Sequence, residues 1–177
     1  MEHFDNYCNE QLKMLEEGKI GRALSVGRLA AGLMLGQPGS ADAAIYNNNP
    51  GNIRTSSTQW NGEVTKPGEA FERFESMAYG IRASAKILRT YGKKYGIDTI
   101  NKIIDRYAPP EDNNPNNANY ARHVSNGSGF GVDEKIDLND PQVLMKLMRP
   151  IFEFENGRKE AAKISDADIQ KGVKMAF

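Results

Sequence analysis

Residues 140–157 read DPQVLMKLMRPIFEFENG and carry the main helical pattern of the sequence. Asp140 followed by Pro141 is typical of a helix start, because aspartate caps open backbone N–H groups and proline is tolerated at the first helical position. Apolar residues then recur with a period near 3.6, which predicts a helix with one apolar face, running to about Phe154. Asn156-Gly157 is a stop signal, and Pro150 predicts a bend within the helix.

One carboxylate falls on the apolar side of this helix. At about 100° per residue, Glu155 lies near the middle of the apolar arc and Glu153 lies on the opposite, polar side. The arc consists of Leu144, Leu147, Met148, Ile151 and Phe152. Burial raises the pKa of a carboxyl group, so we expect Glu155 to keep its proton near neutral pH, as the acid of a glycosidase does. The alternative is a structural glutamate paired with an arginine or a backbone N–H group.

The remaining patterns predict a mainly α-helical protein with a small β-hairpin element. Helices are expected over residues 4–17, from there to about residue 35, over 77–95 after Ser76, over 100–107 after Thr99, near 119–124, and after the Ser165/Asp168 capping pair. A polar loop is expected over residues 111–117, and a Gly/Ser loop over residues 126–131. Asn47–Asn52 predicts a turn, and Asn61-Gly62 between strand-forming residues predicts a hairpin.

Composition argues against several classes of function. The 177 residues carry 23 basic and 23 acidic side chains, so no excess charge draws the whole molecule to nucleic acid. Cys8 is the one cysteine, and the two histidines lack metal-ligand spacing, so neither a disulfide framework, a metal site nor another cofactor is expected. No segment is long and apolar enough for stable membrane insertion.

We expect a boundary near residue 44. Residues 1–44 then form a helical extension, and residues 45–177 form the main domain. Part of the extension loosely imitates an export signal, although about 27 residues precede its apolar run. The alternatives are an amphipathic segment that packs on the domain, or one that binds a partner.

Six motifs together resemble a phage-associated lysozyme-like family of virion proteins, endolysins and lytic transglycosylase-like domains. In chain order, the motifs are Asn48–Arg54, Trp60–Gly62, Phe71–Phe74, Gly80–Ala83, Tyr107–Asn113 and Glu155–Gly157. The resemblance covers about residues 46–157. It implies a lysozyme-like fold, cleavage of peptidoglycan glycan strands, and a protein of the virion that acts in the bacterial periplasm or cell wall.

A looser similarity links the chain to flagellar-type β-N-acetylglucosaminidases. The counterparts are Asn49–Arg54, Trp60–Gly62 and the stretch from Tyr107 to Tyr120. The catalytic glutamate of those enzymes ends a helix just before the first turn, whereas here Glu155-Asn156-Gly157 ends a late helix. We therefore expect a circular permutation that leaves the catalytic helix in the same place in space.

The resemblance implies roles for six residues. Glu155 is the acid, and Tyr120 orients the sugar or stabilises charge. Asn49, Asn52, Trp60 and Tyr107 are expected to bind the substrate, the asparagines through its N-acetyl group and Trp60 by stacking. Four of them have a structural alternative: Tyr120 as a core residue, Asn49 and Asn52 as turn residues, and Trp60 as a lid or small satellite core.

A hydrolase normally needs a second carboxylate. No spacing singles out one of the candidates Glu63, Glu69, Glu72 and Glu111. Without a second carboxylate, the lytic transglycosylase route is favoured over a muramidase, because the substrate's own hydroxyl then attacks. One alternative is a virion component that retains the fold without catalysis. Its possible partners are other virion proteins, bound through residues 1–44. The second alternative is a cell-wall binding module without turnover.

Overall fold

The computed structural model describes residues 41–107 and 117–177, and we name its elements within those ranges. The helices are α1 (Ala41–Tyr46), α2 (Met77–Tyr95), α3 (Ile100–Tyr107), α4 (Asn117–Ser128), α5 (Pro141–Asn156), α6 (Arg158–Ala161) and α7 (Asp166–Lys174). The helices predicted over residues 4–35 lie outside the described residues, and so does nearly all of the polar loop predicted over residues 111–117. None of the described helices combines the length and the apolar character needed to cross a bilayer.

Four predicted helices are confirmed, with bounds close to those expected. The side chains of Thr99, Asp140 and Ser165 each accept a hydrogen bond from a backbone N–H group in the first turn, which supplies partners that a helix start lacks. Ser76 stands at the start of α2 as predicted, but its side chain makes no capping bond. Gly157 follows the last residue of α5, as its stop signal indicated.

Helix α4 is longer than the sequence predicted. The expected loop over residues 126–131 begins only after Ser128, so Asn126 and Gly127 are helical. A Cβ atom on Gly127 would lie 2.6 Å from Cβ of Pro150, so this glycine lets α4 approach α5 closely. The packing contact outweighs the poor helix propensity of glycine.

The main core lies between α2, α3, α4, α5 and α7. The predicted apolar arc of α5 is buried in it, and Leu144, Leu147 and Met148 have no exposed surface. Helix α2 packs along α7, where Gly172 leaves room for Ile81. This arrangement fixes the C-terminal end of α5 relative to the rest of the domain.

The segment over residues 53–75 is irregular, and the predicted hairpin at Asn61-Gly62 is not confirmed. Gly62 has a left-handed φ of 73°, and the Glu63 N–H donates to the Trp60 carbonyl, so a tight turn does form. Its two sides do not form a regular hairpin, however. Isolated antiparallel bridges join Arg54 to Phe71 and Glu63 to Phe74 instead.

Helix α1 crosses the boundary predicted at residue 44. Ala44 is buried, and its carbonyl accepts the N–H of Asn49 at 2.8 Å. Helix α1 also contacts α5 and α6. The end of the predicted extension is therefore continuous with the packed domain.

Candidate functional site

The site begins with the asparagine turn, residues 47–53. Asn49 is 1% exposed, and its side-chain amide bonds only to backbone: its Oδ1 accepts the Ile53 N–H, and its Nδ2 donates to the carbonyls of Ile53 and Glu72, all at 2.9 Å. Asn48 and Asn52 have left-handed φ angles of 53° and 50°, which asparagine tolerates better than most residues. These features explain why the turn is rich in asparagine.

The turn rests on α2 through two glycines. A Cβ atom on Gly80 would lie 1.8 Å from the Asn48 carbonyl oxygen, which is impossible without moving the backbone. A Cβ atom on Gly51 would lie 2.4 Å from Oγ of Ser84. Backbone therefore packs directly against backbone at Gly80, and the position of the turn is fixed relative to α2.

Two further hydrogen bonds fasten the turn to α3 and α5. The Tyr107 hydroxyl donates to the Gly51 carbonyl at 2.6 Å. Nδ2 of Asn156, which is 4% exposed, donates to the Pro50 carbonyl at 2.8 Å and to the Phe152 carbonyl at 2.9 Å. The C-terminal end of α5 and the turn are thus connected directly at Asn156.

Glu155 lies where these elements meet. Its side chain is half-buried, and Oε1 accepts a hydrogen bond of 2.8 Å from the Tyr120 hydroxyl. Nδ2 of Asn52 lies 3.5 Å from Oε2, at the outer limit of a hydrogen bond. The carboxyl group is therefore in reach of both the asparagine turn and α4, and it retains contact with solvent.

The ring of Tyr120 supports this arrangement from the core. Tyr120 has no exposed surface, and its ring stacks on Phe154 at 3.9 Å between centroids with an angle of 8° between planes. It also meets the Tyr107 ring edge-on at 6.5 Å. Of the two roles that the sequence left open for Tyr120, these contacts favour the core tyrosine, whose hydroxyl is satisfied by Glu155. A role of Tyr120 toward a sugar stays a prediction.

Glu153 faces another direction, as its helical phase predicted. It lies 3.5 Å from Nε2 of His123 on α4. Two glutamates only two positions apart on one helix thus have different surroundings. Glu153 is for this reason a matched control for Glu155.

The predicted substrate-binding residues separate into two groups. Asn52 and Tyr107 lie in the site. Asn52 contacts Glu155, and Tyr107 contacts the turn at Gly51. The side chain of Asn49 is occupied by backbone bonds, which favours the turn-holding alternative. Trp60 is 7% exposed and packs with Ile53 and Phe74 in a second small core, which favours the satellite-core alternative.

Three of the four candidate second carboxylates are described, and each makes contacts within the irregular segment. Glu63 accepts the Trp60 N–H, and Glu69 pairs with Arg73. Glu72 is 1% exposed and accepts a hydrogen bond from the Thr65 hydroxyl at 2.7 Å. Burial raises the pKa of Glu72 to about 7, against the effect of the Thr65 bond and with a smaller contribution from the negative charge of Glu63. Glu111 lies outside the described residues.

Sequence reasoning missed the contributions of Asn156 and Phe154. The sequence marks Asn156 as a helix stop signal and as part of the Glu155–Gly157 motif, without a contact of its own, and Phe154 only as the approximate helix end. A signal was present for Asn156, because it falls at the edge of the apolar arc of α5, where a polar residue needs a buried partner. Nothing local in the sequence reveals that Phe154 stacks on Tyr120, because the two residues are 34 positions apart.

The chemistry available at this site is that of a carboxyl group with two hydrogen-bond donors. Among the described residues, no group of three or more His, Cys, Asp or Glu side chains is placed to hold a metal ion. Both the Tyr120 hydroxyl and the Asn52 amide can donate, so they stabilise Glu155 as a carboxylate after it gives up a proton. Hydrogen bonds from these donors favour the carboxylate and partial burial favours the protonated form, so Glu155 can in turn release and accept a proton.

Comparison with known proteins gives one informative relationship. No family model matches the chain. Over 145 residues, the chain is 37% identical to "Protein P5" of Pseudoalteromonas phage PM2. The alignment covers 80% of this chain and 86% of that relative.

Proposed function

This chain belongs to the same family as Protein P5 of Pseudoalteromonas phage PM2, and from that premise we propose that it is a phage virion protein that cleaves the glycan strands of peptidoglycan with Glu155 as the acid. The observation that carries the proposal is the pair of donors on Glu155, Tyr120 at 2.8 Å and Asn52 at 3.5 Å. The relative supports the phage origin. The contacts of Glu155 and the resemblance to lysozyme-like proteins support the activity.

The catalytic step uses one residue twice. The protonated Glu155 carboxyl gives its proton to the glycosidic oxygen, and the bond between that oxygen and the anomeric carbon breaks. The carboxylate left on Glu155 then accepts the proton of a hydroxyl of the same sugar, whose oxygen attacks the anomeric carbon. The products are an anhydro-ended strand and a strand with a free hydroxyl, and Glu155 is protonated again.

The contacts of Glu63, Glu69 and Glu72, the described candidates, favour this lytic transglycosylase route over a muramidase. Glu69 pairs with Arg73, Glu63 accepts the Trp60 N–H, and Glu72 bonds to Thr65. Each thus has a role within the irregular segment. A route in which the substrate supplies its own nucleophile needs none of them.

Tyr120 and Asn52 act in this proposal as positioning residues. The Tyr120 hydroxyl fixes the orientation of the carboxyl group, and its ring is held by Phe154. Asn52 holds the second carboxyl oxygen and, at the surface of the turn, binds the N-acetyl group of the sugar. Part of the segment over residues 1–44 is proposed to contact other virion proteins, and the cell wall is the proposed place of action.

The test compares Glu155→Gln with Glu153→Gln on dye-labelled, purified peptidoglycan. We expect Glu155→Gln to lose at least about 100-fold in dye release, the range for removal of a general acid, while Glu153→Gln keeps most of the activity. Both variants must retain the helical circular dichroism of the wild type. Equal activity of wild type and Glu155→Gln would exclude Glu155 as the acid. A folded wild type without any dye release would instead favour a non-catalytic virion component.

A further inference from the structure

Helix α2 carries a row of cations on the side away from the asparagine turn, and we call this row the basic stripe. It consists of Arg82, Lys86, Arg89 and Lys93. At about 100° per residue the four side chains fall within an arc of about 60°, and they extend over about 16 Å of helix. Gly80 and Ser84, which contact the turn, lie on the opposite side of α2.

The two arginines of the stripe have an evident structural role. Nε of Arg82 donates to the Met175 carbonyl at 3.2 Å, and a guanidinium nitrogen of Arg89 donates to the Ala176 carbonyl. These carbonyls follow α7, where positive charge is favourable. Arg82 and Arg89 therefore stabilise the end of α7.

The two lysines have no such role. Within residues 41–107 and 117–177, neither Lys86 nor Lys93 forms an ion pair with a carboxylate. Lys86 is half-buried, and burial together with the charges of Arg82, Arg89 and Lys93 lowers its pKa. A half-buried lysine among three cations costs folding free energy, so a partner that supplies negative charge would stabilise it.

The sequence contains a segment of the required charge. Residues 1–17 carry five acidic side chains and one lysine, whereas the whole chain has equal numbers of acidic and basic side chains. The remainder, residues 18–177, therefore has an excess of four positive charges that offsets this segment. Nucleic acid is a less suitable occupant, because the whole molecule has no excess positive charge.

An exposed aromatic residue adjoins the stripe. Phe177 is 52% exposed, and the Arg89 guanidinium lies 3.8 Å from the centroid of its ring. Stacking holds the arginine side chain in one place, which lowers the entropy cost of binding. Arginine and aromatic residues are enriched at surfaces that bind other protein segments.

We propose that the basic stripe of α2 is the docking surface for the acidic residues 1–17 of the same chain. Docking places carboxylates next to Lys86 and Lys93 and relieves the repulsion along the stripe. Because the stripe lies opposite the face of α2 that supports the turn, the docked segment leaves the Glu155 site open. A second copy of the chain and an unrelated acidic protein are the competing occupants.

Cys8 provides the experiment, because it is the one cysteine of the chain and lies in the acidic segment. A nitroxide attached to Cys8 of the full-length, isotope-labelled protein broadens the NMR signals of nearby amides. We expect broadening at the amides of residues 82–93, and its loss in the double variant Lys86→Glu/Lys93→Glu. Adding Glu16→Lys/Glu17→Lys to that variant is expected to restore it. The exposed pair Lys66→Glu/Lys159→Glu, outside the stripe, is the control and is expected to change nothing.

A variant of the acidic segment and a salt titration test the same docking without changing the stripe. The variant Glu16→Lys/Glu17→Lys alone leaves the stripe intact and is expected to lose the broadening, which covers the case in which the stripe variant does not fold. Raising NaCl from about 0.05 M to about 0.5 M is expected to weaken the broadening, because salt screens charge pairs. The proposal is overturned by a wild type without broadening at α2, or by broadening that charge reversal leaves unchanged. A further control mixes spin-labelled protein without isotope label and isotope-labelled protein without spin label. Broadening of equal strength in this mixture would arise between copies, would assign the stripe to a second copy of the chain, and would equally overturn the proposal.

Discussion

The hydroxyl of Tyr120 connects α4 with the carboxyl group of Glu155. The ring itself is held by its stack on Phe154 and is fully buried. Removing the hydroxyl alone therefore separates the two roles of this residue. Packing is preserved, and only the orientation of Glu155 is affected.

Tyr120→Phe is expected to lower peptidoglycan cleavage about tenfold or more, while the free energy of unfolding falls by only about 1 kcal/mol, the net value of one hydrogen bond. Dye release and urea denaturation measure the two effects. Tyr79→Phe on α2, which packs on Gly62, is the control and is expected to leave cleavage unchanged. Full activity of Tyr120→Phe would show that the hydroxyl does not position the acid.

Glu72 gives the protein a dependence of stability on pH. Its pKa is raised to about 7 in the folded state from an ordinary value of 4.5, so the folded state holds this proton more tightly than the unfolded state. The contribution of Glu72 is fully present below pH 4.5 and is lost as pH rises through 7. The loss amounts to about 3 kcal/mol at most.

Glu72→Gln tests this assignment, because an amide resembles the protonated acid and does not ionise. Urea denaturation of both proteins across the range from pH 4.5 to 8 is the measurement. We expect the variant to gain stability relative to the wild type as pH rises, with most of the gain between pH 4.5 and 7. A difference that stays constant with pH would assign the dependence to other groups.

At the scale of elements, the contact between the asparagine turn and α2 depends on Gly80. Glycine within a helix normally costs about 1 kcal/mol relative to alanine, so Gly→Ala is often stabilising. Here the added Cβ atom would lie 1.8 Å from the Asn48 carbonyl oxygen. Gly80→Ala is therefore expected to destabilise the protein by at least about 2 kcal/mol in urea denaturation. A stabilised variant would contradict the backbone contact described here.

The same scale shows what the sequence could predict. Helices with a strong apolar period and a polar cap, such as α3 and α5, were predicted closely because the signals are local. Helix α4 was predicted too short, since the reason for its length is the contact of Gly127 with Pro150, 23 residues away. The hairpin at Asn61-Gly62 is not confirmed, for a similar reason. The residues that form the turn are adjacent in sequence. Which segment pairs with each side of the turn depends instead on the packing of the whole domain.

The candidate site divides in the same way. Periodicity identified Glu155 as the carboxylate on the apolar side of α5. The resemblance predicted that Tyr120 and Asn52 belong to the same site. The roles of Asn49 and Trp60 were not decided by sequence, because asparagine and tryptophan are suited both to binding sugar and to structural contacts. The hydrogen bonds of Asn49 and the burial of Trp60 now favour structure.

For the whole molecule, the question is whether the irregular segment unfolds with the helices. Trp60 lies in the small second core, apart from the main core between the helices. The asparagine turn nevertheless connects this segment to α2, α3 and α5. We therefore expect one cooperative transition, with Trp60 fluorescence and helical circular dichroism giving the same urea midpoint within error. An earlier fluorescence midpoint would mean that the segment detaches while the helices remain folded.

The central claim is that Glu155, oriented by Tyr120 and Asn52, cleaves glycan strands without a second catalytic carboxylate. Mass spectrometry of the soluble products from purified peptidoglycan sacculi tests it most directly. We expect anhydro-ended muropeptides from the wild type and from Glu153→Gln, and none from Glu155→Gln. Reducing-end muropeptides would contradict the proposed route, and the same products from Glu155→Gln as from the wild type would contradict the claim itself.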